Sequence, residues 1–214
     1  STASESAMPE INWGFPIRLL PDVEISSLKV NQNGFLTTLA TVKYPWKGRK
    51  FPFDDGVIIA PFWDDLQGTE VRWQVLGSTP NRKVVIEWKD VAGYQCTGTV
   101  NFQVVLHENG KIQFNYKDVD FDSCTGAQRN RGANGSIGLQ LKASRWNQTI
   151  FQDPDLKNEL TLSYAPPRPP MGTHALAVKK EGSGDGTVQS TSNEKIHCGT
   201  QCSNTYTTGS TVSL

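Results

Sequence analysis

The chain has 214 residues with 21 Lys+Arg against 21 Asp+Glu, a balance that leaves no basic field for a nucleic-acid backbone or an anionic membrane. The apolar share of 36% suits an all-β surface protein, and the longest apolar run, residues 57–63, is broken by Pro61 and falls far short of spanning length. This length accommodates one large domain and a smaller second unit.

No secretory leader opens the sequence. Residues 1–10 read as a polar arm without pattern, the small-residue beginning of a processed or trimmed chain. Ile11, Trp13, Phe15 and Ile17 alternate and predict an edge strand limited by Pro16. Leu28 and Val30, the Asn33-Gly34 turn, then Phe35, Leu36 and Leu39 predict strand, corner and strand. Residues 44–53 carry Pro45, Pro52, Trp46 and three basic side chains, with Lys43 just before them, and read as a loop. Residues 57–63 read as a buried strand ending in Asp64-Asp65. Val71, Trp73 and Val75 alternate, then Val84, Ile86 and Trp88.

The clearest element is the hairpin of residues 99–117. Val100, Phe102, Val104 and Leu106 alternate before the turn, and Ile112, Phe114 and Tyr116 after it. A two-residue Asn109-Gly110 loop would put Phe114 on the face of His107. A three-residue loop, Glu108-Asn109-Gly110, pairs Leu106 with Ile112, Val104 with Phe114 and Phe102 with Tyr116, so all large apolar groups share one face. The turn is therefore type I with Gly110 left-handed. A glycine- and Asn-rich loop, residues 125–135, follows, then Ile137, Leu139 and Leu141, then Leu160, Leu162 and Tyr164. Residues 153–160 hold the sole prospect of a helical turn.

Nine or ten short one-sided strands predict an all-β fold, a two-sheet antiparallel β-sandwich over residues 11–165. Four prolines stiffen a linker at residues 166–172. Residues 173–214 form a small Ser-, Thr- and Gly-rich β repeat fragment with too few apolar groups for its own core.

Extending the hairpin register puts residue 96 opposite residue 122, so Cys124 lies near Cys96. Cys198 and Cys202 are close in sequence. Two readings stand for the second pair: a local disulfide, or a metal site with His197. Cys-x-x-x-Cys plus one His leaves a zinc shell incomplete, so two disulfides and an oxidising compartment are preferred.

Asn33-Gly-Phe-Leu36, Ile59-Ala-Pro-Phe-Trp-Asp-Asp-Leu66, Phe102-Gln-Val-Val-Leu-His-Glu-Asn-Gly110 and Ser136-Ile-Gly-Leu139 occur in an order that resembles a β-sandwich module of secreted bacterial adhesin-like and protease-associated proteins. The Ala-Pro-Phe-Trp-Asp segment also looks distantly like the extracellular NIDO domain of nidogen. The resemblance covers most of residues 23–164 and implies an accessory, non-catalytic part. Leu176-Ala-Val, Gly182 to Val188, Cys198-Gly-Thr-Gln-Cys202 and Tyr206 to Leu214 look like a divergent internalin-type B repeat that stops where further strands would follow.

For chemistry, Asp64 and Asp65 after a buried strand, with Asp54-Asp55 and Asp118, Asp120 and Asp122 elsewhere, offer hard oxygen ligands for calcium. The competing reading, Asp as a turn-capping residue, is preferred. Asp65 with Glu70 or Glu87 would be the carboxylate pair of a hydrolase, but sequence places neither partner. No nucleophile, zinc-protease or phosphate-loop motif is present, and no histidine has a triad partner nearby. Of six tryptophans, Trp63, Trp73 and Trp88 fall at core-like strand positions. Trp13, Trp46 and Trp146 lie near loops or edges and are candidates for stacking on sugars or another protein. The expectation is a non-enzymatic extracellular structural or adhesive module without a cofactor, self-associating or binding other surface proteins. The alternative is an accessory domain of a larger secreted hydrolase that binds polysaccharide or calcium.

Overall fold

A computed structural model describes residues 8–68, 70–165, 173–179, 181, 186–191, 196–198, 202–207 and 212–213. Two compact units divide the chain, Ser1–Pro166 and Pro167–Leu214. In the first, the strands in chain order are β1 (Glu10–Leu20), β2 (Val23–Asn31), β3 (Phe35–Thr37), β4 (Ile58–Trp63), β5 (Leu66–Gln67), β6 (Glu70–Leu76) and β7 (Lys83–Gly93). There follow β8 (Cys96–Thr97), β9 (Val100–His107), β10 (Ile112–Asp118), β11 (Ser123–Cys124), β12 (Ser136–Lys142), β13 (Arg145–Phe151) and β14 (Leu160–Tyr164). The second unit has β15 (Thr173–Ala177) paired with β18 (Ser203–Thr207), and β16 (Val188–Gln189) paired with β17 (His197–Cys198).

One sheet of the sandwich runs β1-β2-β3-β4-β12-β13. The other runs β14-β10-β9-β7, with β6 and the short β5 both pairing along the free side of β7. All pairs are antiparallel, and the fold is the expected all-β sandwich. The alternating apolar residues meet between the sheets. Phe62 and Trp88 both stack on Phe102, at 5.5 and 5.2 Å between ring centroids. Polar tips cross the core to satisfy carbonyls of the opposite sheet. Tyr116 Oη donates to Pro61 O at 2.7 Å, and Trp88 Nε1 to Asn31 O at 3.1 Å. The central hairpin has the predicted three-residue loop: Leu106 lies opposite Ile112, Val104 opposite Phe114, and Gly110 has φ +85°.

Strand β4 is buried at every position. Its alternation slips at Pro61, where the partner register shifts from Gly138–Ala60 to Ser136–Trp63. A proline without an N–H is tolerated inside a central strand because this bulge removes it from the ladder. Ile59 and Phe62 then face the sandwich core, while Ile58, Ala60 and Trp63 face outward. Residues 38–57 fold over that outward face and bury it with Val42 and Phe51, completing a second small core with Phe35. Polar contacts to β4, β12 and β13 fasten the cover. Trp63 Nε1 donates to Pro45 O at 2.7 Å, and the Phe51 and Phe53 N–H groups donate to the side chains of Gln148 and Gln140. Ser136 Oγ donates to Arg49 O at 2.6 Å.

Several expectations are corrected. Cys96 lies opposite Cys124, not residue 122, because two extra residues enter the β10–β11 side after Tyr116, where the register slips. Trp73 is 45% exposed despite its core-like phase: β6 pairs only with β7 among the described residues, so its outer side is an open edge. Trp13 is a core residue at 6% exposure, since the whole inward row of β1 is covered. Residues 153–160 form no helix; the helical turn is a 3-10 turn at Asn130–Gly132, inside the glycine-rich loop. Strand β13 is an additional strand, hidden because RWNQTIF has no clean period. The expected linker, residues 166–172, lies outside the described residues.

Among the described glycines the tightest backbone approach is at Gly34, with φ +80°, where a Cβ would overlap Phe62 O. Gly68, at φ +64°, has open space around the same position. Gly34→Ala therefore lowers unfolding stability by more than about 2 kcal/mol in urea denaturation, and Gly68→Ala by only about 1 kcal/mol.

Candidate functional site

Two places gather chemistry-bearing side chains: a buried corner after β4, and the outer surface of the loop that covers it. At the corner the turn Asn31 to Gly34 docks on the end of β4. Asn33 O accepts the Asp64 N–H at 3.2 Å, Asn33 Oδ1 the Leu66 N–H at 2.9 Å, and Gly34 O the Phe62 N–H at 3.3 Å. The two sequence motifs Asn33-Gly-Phe-Leu36 and Ile59 to Leu66 are thus halves of one structural joint.

Asp64 is wholly buried, and Arg129, 6% exposed, reaches it from the glycine-rich loop. One carboxylate oxygen, Oδ1, accepts from the Arg129 guanidinium, from Asn134 Nδ2 at 3.2 Å and from the Asp65 N–H at 2.7 Å. The guanidinium also stands 3.6 Å from Asp65 Oδ2 and donates from Nε to Tyr94 O at 3.0 Å. Asp64 Oδ2 is buried without a hydrogen-bond partner. Burial raises the Asp64 carboxyl above its ordinary value of 3.8, against the lowering pull of Arg129, the Asp65 amide and Asn134. Arg129 is the cation in contact with Asp64. The other proposed ligands are engaged separately: Asp120 pairs with Arg131, Asp118 Oδ1 accepts the Asp120 N–H, and Asp55 Oδ1 accepts the Ala143 N–H. Among the described residues no group of three His, Cys, Asp or Glu side chains is placed to hold a metal.

The proposed carboxylate pairs do not meet as pairs. Glu70 binds Arg72, Glu87 accepts from Gln103, and Asp65 faces Arg129. His107 Nε2 lies 2.6 Å from Gln113 Oε1 on the outer face of the second sheet. Cys198 and Cys202 form a disulfide, as do Cys96 and Cys124, which removes the thiolates that a zinc site beside His197 would need.

The loop surface is different. Tyr44, Lys47, Arg49, Lys50, Phe53 and Phe151 line an open cleft of about 400 Å³. Tyr44 is 59% exposed and meets the edge of half-buried Trp46 at 5.5 Å. Arg49 lies over the Phe53 ring at 5.2 Å and donates to Lys43 O at 2.7 Å. Gly48 fixes the loop against the sheet, because a Cβ there would meet Trp63 O at 2.8 Å. Trp146 and Phe151 stand on the outer row of β13, opposite Gln140 and Ser136. Of the three proposed binding tryptophans, Trp46 and Trp146 are on this face and Trp13 is in the core. Sequence reading missed Arg129, 65 residues from its partner, and it missed Tyr44 and Phe151. The signal for Tyr44 was the run of cations around aromatic rings at residues 43–50.

The corner generates a stability test. Arg129→Met leaves a buried carboxylate without a counter-charge, which costs about 3–5 kcal/mol at pH 7.5. A carboxyl whose folded pKa lies above its unfolded value gives its full stability below the unfolded value and loses it as pH rises through the folded one. Removing Arg129 raises Asp64 further, so the deficit of the variant shrinks as pH falls toward 4.5. The double variant Asp64→Asn/Arg129→Met recovers much of the loss at pH 7.5. Urea denaturation at both pH values checks each point.

A model of NIDO-related domains matches residues 1–169 and so takes in the whole first unit. No curated protein and no solved structure matches the chain. Together with the two disulfides, the match points to an extracellular or secreted type of module. On the strength of that coverage, the chain belongs to the NIDO-related family.

Proposed function

We propose that this chain is a non-enzymatic extracellular structural module of adhesive or assembly type, and that a second copy joins it along the free edge of β6. The observation that carries the reading is the row Val71, Trp73, Val75 on that edge. It faces the core side opposite Trp88, Ile86 and Val84, yet Trp73 is 45% exposed. Among the described residues no strand pairs with the outer side of β6. The strand has no proline or bulge, the devices that usually protect an edge.

The sequence of β6 is also self-complementary. Antiparallel pairing of two copies about Trp73 sets Val71 opposite Val75, Trp73 opposite Trp73 and Arg72 opposite Gln74. The apolar row then continues across the joint, with Glu70, Arg72, Gln74 and Leu76 on the other face. Such a joint closes on a two-fold axis and gives a dimer; a filament or surface layer needs a second, different contact. A seven-residue pairing is small, so it acts best where many copies are displayed together. The second unit fits a surface repeat of internalin type: two antiparallel strand pairs closed by a local disulfide.

The accessory-domain reading retains one favourable observation, the basic and aromatic cleft at Tyr44. Its calcium form has no cluster of three ligating side chains among the described residues to favour it.

Sedimentation equilibrium up to about 0.1 mM detects the dimer. Trp73→Lys places a charge in the edge row and yields monomer with an unchanged melting temperature. A wild-type protein that stays monomeric across that range contradicts the edge joint.

A further inference from the structure

Between Ala40 and Phe53 the covering loop carries four cations, Lys43, Lys47, Arg49 and Lys50, and no acid. None of the four has a carboxylate partner among the described residues. Arg49 Nε is buried without an acceptor. The next acids, Asp54 and Asp55, are turned to other work: Asp54 Oδ1 caps the Asp55 N–H, and Asp55 Oδ1 accepts the Ala143 N–H. In a chain of zero net charge, this is a local, uncompensated positive site. By contrast the cleft on the outer face of the second sheet sets Lys89 and Lys117 among Glu87 and Glu159, where opposite charges offset one another.

The same face presents aromatic rings to solvent. Tyr44 is 59% exposed, Trp146 47% and Phe151 36%. Trp146 and Phe151 share one row of β13 because the bulge between Gln148 and Ile150 offsets their odd spacing; their partners Gln140 and Ser136 are four positions apart, roughly 13 Å along the strand. The rings and cations sit on a sheet edge and on a loop pinned by Trp63, Gln140, Gln148 and Ser136, so the surface is preformed.

We infer that this surface binds a segment of acidic polysaccharide. The C–H faces of the sugar rings stack on Tyr44, Phe151 and Trp146, and the carboxylates or sulfates pair with Lys47, Arg49 and Lys50. A stiff polymer with a regular charge repeat matches a fixed row of rings better than a flexible peptide does. A cleft of about 400 Å³ is within the range of small-ligand sites. The site is separate from the β6 edge, so it stands or falls independently of the dimer.

The test is isothermal titration of the full chain with hexagalacturonate and with a heparin-derived hexasaccharide, against neutral cellohexaose and a single-stranded hexanucleotide. The expected result is binding of at least one acidic saccharide that weakens as salt rises, with none of the neutral one. Lys47→Glu/Lys50→Glu weakens it by about a hundredfold and Tyr44→Asn by about tenfold. Trp73→Lys leaves it unchanged. Chemical-shift mapping on the unmodified chain places the contact on residues 44–50 and 151, a readout that does not depend on any variant folding. Failure to bind both acidic probes, equal binding of cellohexaose, tighter binding of the oligonucleotide, or shifts confined to another face overturns the inference.

Discussion

Strand β4 has no solvent face, and that constraint organises the first unit. Its inward residues Ile59 and Phe62 belong to the sandwich, while Ile58, Ala60 and Trp63 require a second cover. Residues 38–57 provide it, and a cover necessarily has two sides. Its inner side contributes Val42 and Phe51, and its outer side is left with Tyr44, Lys47 and Lys50. The candidate ligand surface is thus a by-product of burying a central strand twice. Trp63 ties the two requirements together, since its ring fills the second core and its N–H needs the Pro45 carbonyl.

The same strand explains the buried charge. Where β4 leaves the sheet, its last amides no longer meet a full neighbouring strand, and the Asn33-Gly34 turn takes over from β3. Asp64, forced inside by the docking of that turn, is held by Arg129 from a loop far along the chain. A buried pair of this kind adds little net stability but strongly penalises loss of one partner, so it fixes where the glycine-rich loop must lie. Arg82 plays a related part at the opposite end: it binds Glu108 of the central turn and lies 3.9 Å over the Phe15 ring of the facing sheet.

How much of this was legible in the sequence depended on the range of the interaction. The hairpin register followed from period-2 alternation and one loop length, both local, and it holds residue by residue from Leu106–Ile112 to Phe102–Tyr116. The continuous apolar run of β4 announced a strand buried on both faces. Alternation did not say which strands lie at an edge or how far each is covered, which is why Trp73 and Trp13 exchanged the roles expected of them. Strand β13 was hidden because one row of its side chains serves the loop rather than a core: Gln148 bonds Phe51 N and Arg49 O. The Asp64–Arg129 pair spans 65 residues and has no periodic signature. The cations of residues 43–50 were visible, but that Phe151 and Trp146 would share their face depended on strand order.

The account rests on the loop being a fixed part of the fold rather than a mobile surface excursion. Amide hydrogen exchange by NMR reads this directly. The Phe51 and Phe53 amides, donated to Gln148 and Gln140, and the Lys47 amide, donated to Tyr44 O, are expected to exchange slowly, Phe51 and Phe53 alongside the amides of β12. Exchange of Phe51 and Phe53 at the rate of an unstructured peptide, with β12 still protected, would mean that the outer face of β4 is not covered as described.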